Sequence, residues 1–232
     1  MQKLREVLYK LINDSRYKVL LVLVLSTVFS MGILFYRMFY TSNYTYYFLA
    51  WNLFLAWIPY IISFVYRRYD RYFKRRIVLF ASVMLWILFF PNAPYILTDL
   101  FHLFEQSDIP QWFDLILILS FAWTGVLLGF ASLIDFQKLI TRRFSTFIGW
   151  GFALTALVAG SFGIYIGRYL RYNSWDVVTN PFALFSDIIH ILIHPLRNDS
   201  VYGLTLFLSA FLIVAYVTLK YLTNHKNTIR IK

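Results

Sequence analysis

The chain of 232 residues has no cysteine. That absence excludes disulfides, thiolate metal sites and a cysteine nucleophile, and says little about compartment. Charge is scarce as well, with 14% of residues Asp, Glu, Lys or Arg, where a soluble domain carries about a quarter. No Pro/Gly/Ser-rich linker, low-complexity run or internal repeat divides the sequence, so residues 1–232 read as one domain. Also missing are a glycine-rich phosphate loop, a GxSxG elbow and any haem or nucleotide fingerprint.

What is present is apolar: 60% of residues are hydrophobic and the mean hydropathy is +0.62. Six segments approach the roughly 20 apolar residues needed to cross a bilayer, near 18–39, 46–66, 77–97, 112–134, 145–167 and 201–222. Lipid cannot satisfy backbone polar groups, and these runs lack period-2 alternation, so the expected fold is all-α, a polytopic membrane protein of six transmembrane helices. The apolar stretch from Val19 to Phe35 is long and lacks a small-residue cleavage signature, so it is expected to remain as an anchor rather than leave as a signal peptide.

Positive charge orients these spans. Of the 22 Lys and Arg, 18 fall in the N-terminal arm, the second loop, the fourth loop (Lys138, Arg142, Arg143) and the tail. The opposite side carries only Arg37, Arg168, Arg171 and Arg197, together with seven of the eleven acids. The positive-inside rule then makes both termini cytoplasmic and turns loops one, three and five outward. The net charge of +11 is accounted for by topology and by attraction to anionic head groups. The six basic residues of loop two come with no nucleic-acid reader fold, so nucleic acid is not an expected partner.

Two strings interrupt the apolar pattern, and both fall on the outer side. The first, FFPNAPYILTDLFHL, closes the third span; the second, GIYIGRYLRYNSWDVVTNPF, closes the fifth. With WFDLILILSFAWTGVLLGF between them, they resemble the bacterial integral-membrane family catalogued as domain of unknown function 1361, over roughly residues 50 to 215. The resemblance implies a polytopic bacterial membrane protein and carries no reaction and no site residues.

Read physically, Pro91 and Pro94 remove backbone donors and bias Phe90 and Ala93 away from helix, so the third span should kink or unwind near Asn92. Asn92 then either lines a cavity or satisfies local carbonyls at a tight turn. Thr98 is placed to cap a short helix bearing Asp99, His102 and Glu105 at i, i+3 spacing. In the second string, Arg168 and Arg171 are expected on one helix face, able to fork onto a phosphate or carboxylate, with Asn173, Ser174 and Trp175 beside them. The alternative is that they snorkel, or pair with Asp176, Asp99 or Asp114, while Trp175 serves as a belt residue.

Asn180 and Pro181 open a further apolar element over about 181–194, too short to cross and therefore interfacial or re-entrant. Asp187, His190 and His194 form one polar stripe on it. His190 and His194 at i, i+4, with His102 from the same side, have zinc-ligand spacing, but HILIH lacks the glutamate of HExxH, and neither a metal nor a cofactor is expected. Gly125 and Gly129, and Gly160, Gly163 and Gly167, are small-residue faces for close helix packing.

Three function classes fit these residues. In the first, an outward site binds an anionic lipid or lipid-linked substrate through Arg168, Arg171, Asn173, Trp175 and Asn92, with Asp99, His102 or His190 available for acid/base work. The others are a noncatalytic scaffold or partner subunit for another membrane protein, and a small transporter or flippase using the broken third helix. No charge lies deep in any span, which argues against ion-coupled transport.

Overall fold

The structure, a computed structural model, describes residues 15–69, 75–104 and 109–228. Expectations placed on Glu105 and on the basic residues Lys3, Arg5, Lys10, Arg71, Lys74, Arg230 and Lys232 lie outside the described residues. The elements are α1 (Ser15–Thr41), α2 (Tyr47–Arg68), α3 (Arg76–Phe89), α4 (Asn92–Tyr95), a 3₁₀ segment (Ile96–Phe104), α5 (Gln111–Arg143), α6 (Thr146–Tyr169), α7 (Asp176–Thr179), α8 (Pro181–Ile193), a 3₁₀ turn (Pro195–Arg197) and α9 (Asp199–Thr228). Six stretches are long and apolar enough to cross a membrane: α1, α2, Arg76–Leu103, α5, α6 and α9. The chain is a multi-pass, all-helical membrane protein, and no strand occurs among the described residues.

Helix α5 is the hub. It packs against α1, α2, α4, the first 3₁₀ segment and α6, and 61% of its most apolar window is buried, against 17% for α1. Leu117, Phe121 and Leu128 on α5 belong to one apolar cluster with Leu34, Leu49 and Leu53. Leu133, Phe136 and Leu139 belong to a second, with Trp86, Leu157 and Tyr216. Lipid tails are as apolar as these side chains, so close packing and interhelical hydrogen bonds hold the bundle. Trp86 donates to Ser132 at 3.1 Å, and Ser30 meets Thr124 at 3.3 Å.

Residue contacts define two ends. At one, Arg37 meets Asp114 and Tyr46 meets the His102 carbonyl; at the other, Arg67 meets Asp135 and Lys220 meets Gln137. We call them the cavity end and the basic end. Helix α5 continues to Arg143, so Lys138, Arg142 and Arg143 belong to its final turns and not to the loop expected to carry them. Ser145 then starts α6 by accepting the Ile148 N–H at 3.2 Å, as an N-cap should.

The third span breaks at the two prolines, as expected, but by a different route. Phe90 stays in the right-handed helical region at φ −55°, ψ −40°, and Ala93 lies within α4, so the pre-proline bias is overridden at both positions. Packing explains this. Ala93 seats on α5 so closely that a Cβ on Gly125 would stand 2.5 Å from its carbonyl oxygen. On the other flank, a Cβ on Gly160 would meet Phe90 at 2.9 Å, and one on Gly163 would meet the Pro91 ring at 2.7 Å. The two glycine faces are sockets for the break.

The short element also forms where expected. Pro181 opens α8 at its first turn, although the Asn180 side chain makes no cap bond. Its 13 residues span about 20 Å, less than the bilayer core. Bonds from Tyr172 to Asp187 and from Tyr202 to the Ile191 carbonyl hold it at the cavity end.

Candidate functional site

Breaking a helix frees carbonyls, and at membrane depth each one left without a donor costs several kcal/mol. Here the second string supplies the donors. Ser174 Oγ donates to the Leu88 carbonyl at 2.9 Å, while Asn92 Nδ2 donates both to the Phe89 carbonyl at 3.0 Å and to Ser174 Oγ at 2.9 Å. Every polar hydrogen in this small network has an acceptor. The two strings therefore touch, and the second ties off the broken end of α3.

Beside this seam lies a charged cluster. Asp99 is fully buried; its Oδ2 accepts from Asn52 Nδ2 at 2.9 Å, and Arg168 Nη1 stands 3.3 Å from its Oδ1. Arg168 also donates to the Thr98 carbonyl and, at 3.3 Å, to the Tyr95 hydroxyl, and its guanidinium lies 5.4 Å from the Tyr95 ring centre. Pairing with Asp99, one of the alternatives read from sequence, is what Arg168 does. Thr98 does not cap this segment: within the 3₁₀ segment its hydroxyl donates to the Tyr95 carbonyl at 2.7 Å.

The shared arginine face is not formed. Helix α6 ends at Tyr169, and Arg171 lies beyond it at φ +61°, exposed, in the left-handed conformation common just past a helix C-terminus. Tyr172 N–H turns back to the Ile166 carbonyl at 3.4 Å, which closes the helix end. Arg168 and Arg171 therefore sit on different backbone segments and do not make the fork that their spacing led us to expect.

The remaining candidates are spread out. Trp175 meets Trp51 edge-on at 6.5 Å. The backbone N–H of Asn173 donates to Asp176 at 2.6 Å, and with the Thr179 hydroxyl this holds the Asp176 carboxyl below its ordinary range. Tyr172 donates to Asp187 at 2.9 Å, a bond that raises the phenol above its usual value. His102 packs on Phe48, with ring centres 5.0 Å apart. His190 and His194 stack at 4.6 Å, but His194 Nδ1 faces the His190 carbonyl at 3.1 Å and Asp187 is taken by Tyr172. Among the described residues, no three His, Asp or Glu side chains stand close enough to hold a metal ion.

A cavity of about 380 Å³ opens where these elements meet. It is lined by Pro91, Asn92 and Tyr95, by Trp51, Asn52 and Leu55 of α2, by α6 between Ala159 and Gly167, by Tyr172, Asn173 and Ser174, and by Leu184 and Ile188 of α8. Asp99 and Arg168 are not among its lining residues; they stand behind Asn52 and Tyr95, which bond to them. Of this lining, sequence reasoning singled out Asn92, Asn173 and Ser174 and gave Asn52 no role, while Trp175, which it also singled out, is not among the lining residues. It overlooked Tyr95 and Tyr172, although both fall inside the two strings.

A model of the family described as "Protein of unknown function (DUF1361)" matches residues 51–216. The chain belongs to this family. Its matched stretch takes in both strings, α5 and every residue that lines the cavity, and leaves out α1. No curated protein and no solved structure matches the chain.

Proposed function

We propose that the cavity binds the hydroxyl-bearing head of a lipid or lipid-linked molecule, at the outward face of a bacterial cytoplasmic membrane. The observation that carries this reading is which hydrogen-bonding groups are left over. Asn92 spends both amide N–H groups, on the Phe89 carbonyl and the Ser174 hydroxyl, and Asn52 spends one on the Asp99 carboxylate, which fixes the orientation of each amide and leaves both oxygens as acceptors. Tyr95 accepts from Arg168 and keeps its own O–H. Two acceptors and a phenolic donor suit hydroxyl groups, whereas an anion needs donors. Below them the lining is apolar, with Ile87, Leu88, Ala159, Phe162, Leu184 and Ile188 suited to an acyl or isoprenoid chain.

Asp99 and Arg168 act as positioning residues for Asn52 and Tyr95. No carboxylate or imidazole is among the lining residues, which favours binding or presentation over acid/base chemistry. The outward assignment rests on the concentration of 18 of 22 basic residues at the other side. Transport is a second reading, favoured by the position of the broken third span in the cavity wall.

Native mass spectrometry of the full chain, extracted directly into nanodiscs, tests the binding. Ile188→Trp should fill the cavity and remove a co-purifying amphiphile that the parent protein retains. An unchanged lipid complement in a folded Ile188→Trp protein would refute the proposal. For the transport reading, vesicles containing the parent protein should move a fluorescent glycolipid between leaflets faster than protein-free vesicles.

A further inference from the structure

The basic end holds a second cavity, of about 360 Å³, between the last turns of α5, the start of α6 and the end of α9. Lys138, Arg142 and Lys220 line it, and among the described residues no carboxylate does. The nearby Asp135 already pairs with Arg67. A basic rim alone would be expected from topology, but this cavity also contains a buried side chain with a defined polarity. Gln137 lines it and is 2% exposed. Its Oε1 accepts from Tyr216 at 2.6 Å and from Lys220, and because an ammonium can only donate, the amide orientation is fixed. That leaves Nε2, buried and with no hydrogen-bond partner among the described residues, as a donor.

Lys220 is itself held in place. Its Nζ lies 3.8 Å from the centre of the Trp150 ring as well as against Gln137, so one cation is fixed beside the free amide donor. Lys138 and Arg142 lie one and five residues beyond Gln137 on α5 and border the same space. Three cations and an amide donor without a competing carboxylate match a group with more than one acceptor oxygen and at least one full negative charge.

We propose that this cavity is a phosphate site, taking a phosphodiester or phosphomonoester as a lipid head group or as a free phosphorylated species. It is separate from the cavity at the other end and does not depend on the function proposed there. At the membrane surface, where these residues sit at helix ends, anionic phospholipid is the most concentrated source of this chemistry.

The test is a thermal-shift titration of the full chain in neutral detergent with phosphatidylglycerol, phosphatidylcholine or inorganic phosphate. Phosphatidylglycerol should raise the melting temperature saturably and phosphatidylcholine should not. If inorganic phosphate saturates the same response, the site takes free phosphate; if only the lipid does, the head group is the ligand. Lys138→Gln and Arg142→Gln, both at exposed side chains, should each weaken binding about tenfold, the scale of one lost charge-assisted contact. Gln137→Glu keeps acceptors for Tyr216 and Lys220 but removes the donor, and should abolish the response in a folded protein. Arg75→Gln removes an exposed charge outside the cavity and should change nothing. An equal loss in Arg75→Gln, or no response of the parent protein to either phosphate probe, would overturn the site.

Discussion

The two ends of the bundle use the same functional groups with opposite polarity. At the cavity end, Arg37 pairs with Asp114 and Arg168 with Asp99, Asn92 spends both amide donors and Asn52 one on the protein, and the cavity is offered neutral groups with both amide oxygens as acceptors. At the basic end the amide of Gln137 spends its acceptor, and among the described residues three cations and no carboxylate line the cavity, so it is offered donors and positive charge. Counting charged residues would have assigned the anion to Arg168 and Arg171, where basic residues are scarce. Following each hydrogen to its acceptor moves it to the other end.

The comparison makes removal of a paired charge the most damaging change. Arg37 and Asp114 are 2% and 1% exposed and bond at 2.7 Å, so Arg37→Ala strands a buried carboxylate and should cost about 3–5 kcal/mol. Arg142→Gln, which breaks no pair, should stay within about 0.5 kcal/mol. Thermal unfolding in detergent compares the two directly, and equal losses would erase the distinction between the ends.

Next in size is the socket for the break. Gly125→Ala and Gly163→Ala press a methyl group onto Ala93 and Pro91 and should each cost about 1–3 kcal/mol. Gly151→Ala, with nothing within 4 Å of its Cβ, should be neutral or stabilising. A loss of similar size is expected for Ser174→Ala, which deprives the Leu88 carbonyl of its donor: about 1–3 kcal/mol, with faster amide exchange in 88–95 as the local readout.

Acid should loosen the second string specifically. The Asp176 pKa is depressed in the folded state, so its contribution is present above the unfolded carboxylate pKa of about 3.9 and is lost as pH falls through the lower folded value. Protection from hydrogen exchange in residues 173–180, taken relative to the intrinsic rate at each pH, should therefore fall toward pH 3, and Asp176→Asn should remove most of that dependence. The smallest effect belongs to Arg171→Gly. A glycine relieves the left-handed backbone, so stability should hold or rise by up to about 1 kcal/mol, and loss of ligand at the cavity end would instead return Arg171 to the site.

Several features could be read directly from the sequence for simple physical reasons. Apolar runs located all six spans, two prolines located the break, and glycine spacing marked the faces of α5 and α6 that receive it. The fork of Arg168 and Arg171 failed because nothing in the local sequence, such as a glycine at Arg171, marked the end of α6 at Tyr169. The basic-end cavity went unseen because Lys138 and Arg142 were assigned to a loop, whereas α5 carries them on past the apolar run. Gln137 carried a usable signal, a lone amide between Asp135 and Lys138 at the end of a span, but its polarity depends on Tyr216 and Lys220, about 80 residues away. Contact between the two strings is likewise a tertiary fact, with Asn92 and Ser174 separated by 82 positions.

That contact is the central claim, and a chain with no cysteine gives it a clean test. Asn92→Cys and Ser174→Cys should be introduced together and oxidised in native membranes, with each single variant as control. Rapid, near-complete formation of an intrachain disulfide, seen as two fragments held together after cleavage between the spans, is the expected result. Two freely alkylated thiols in a folded, membrane-inserted double variant would contradict it.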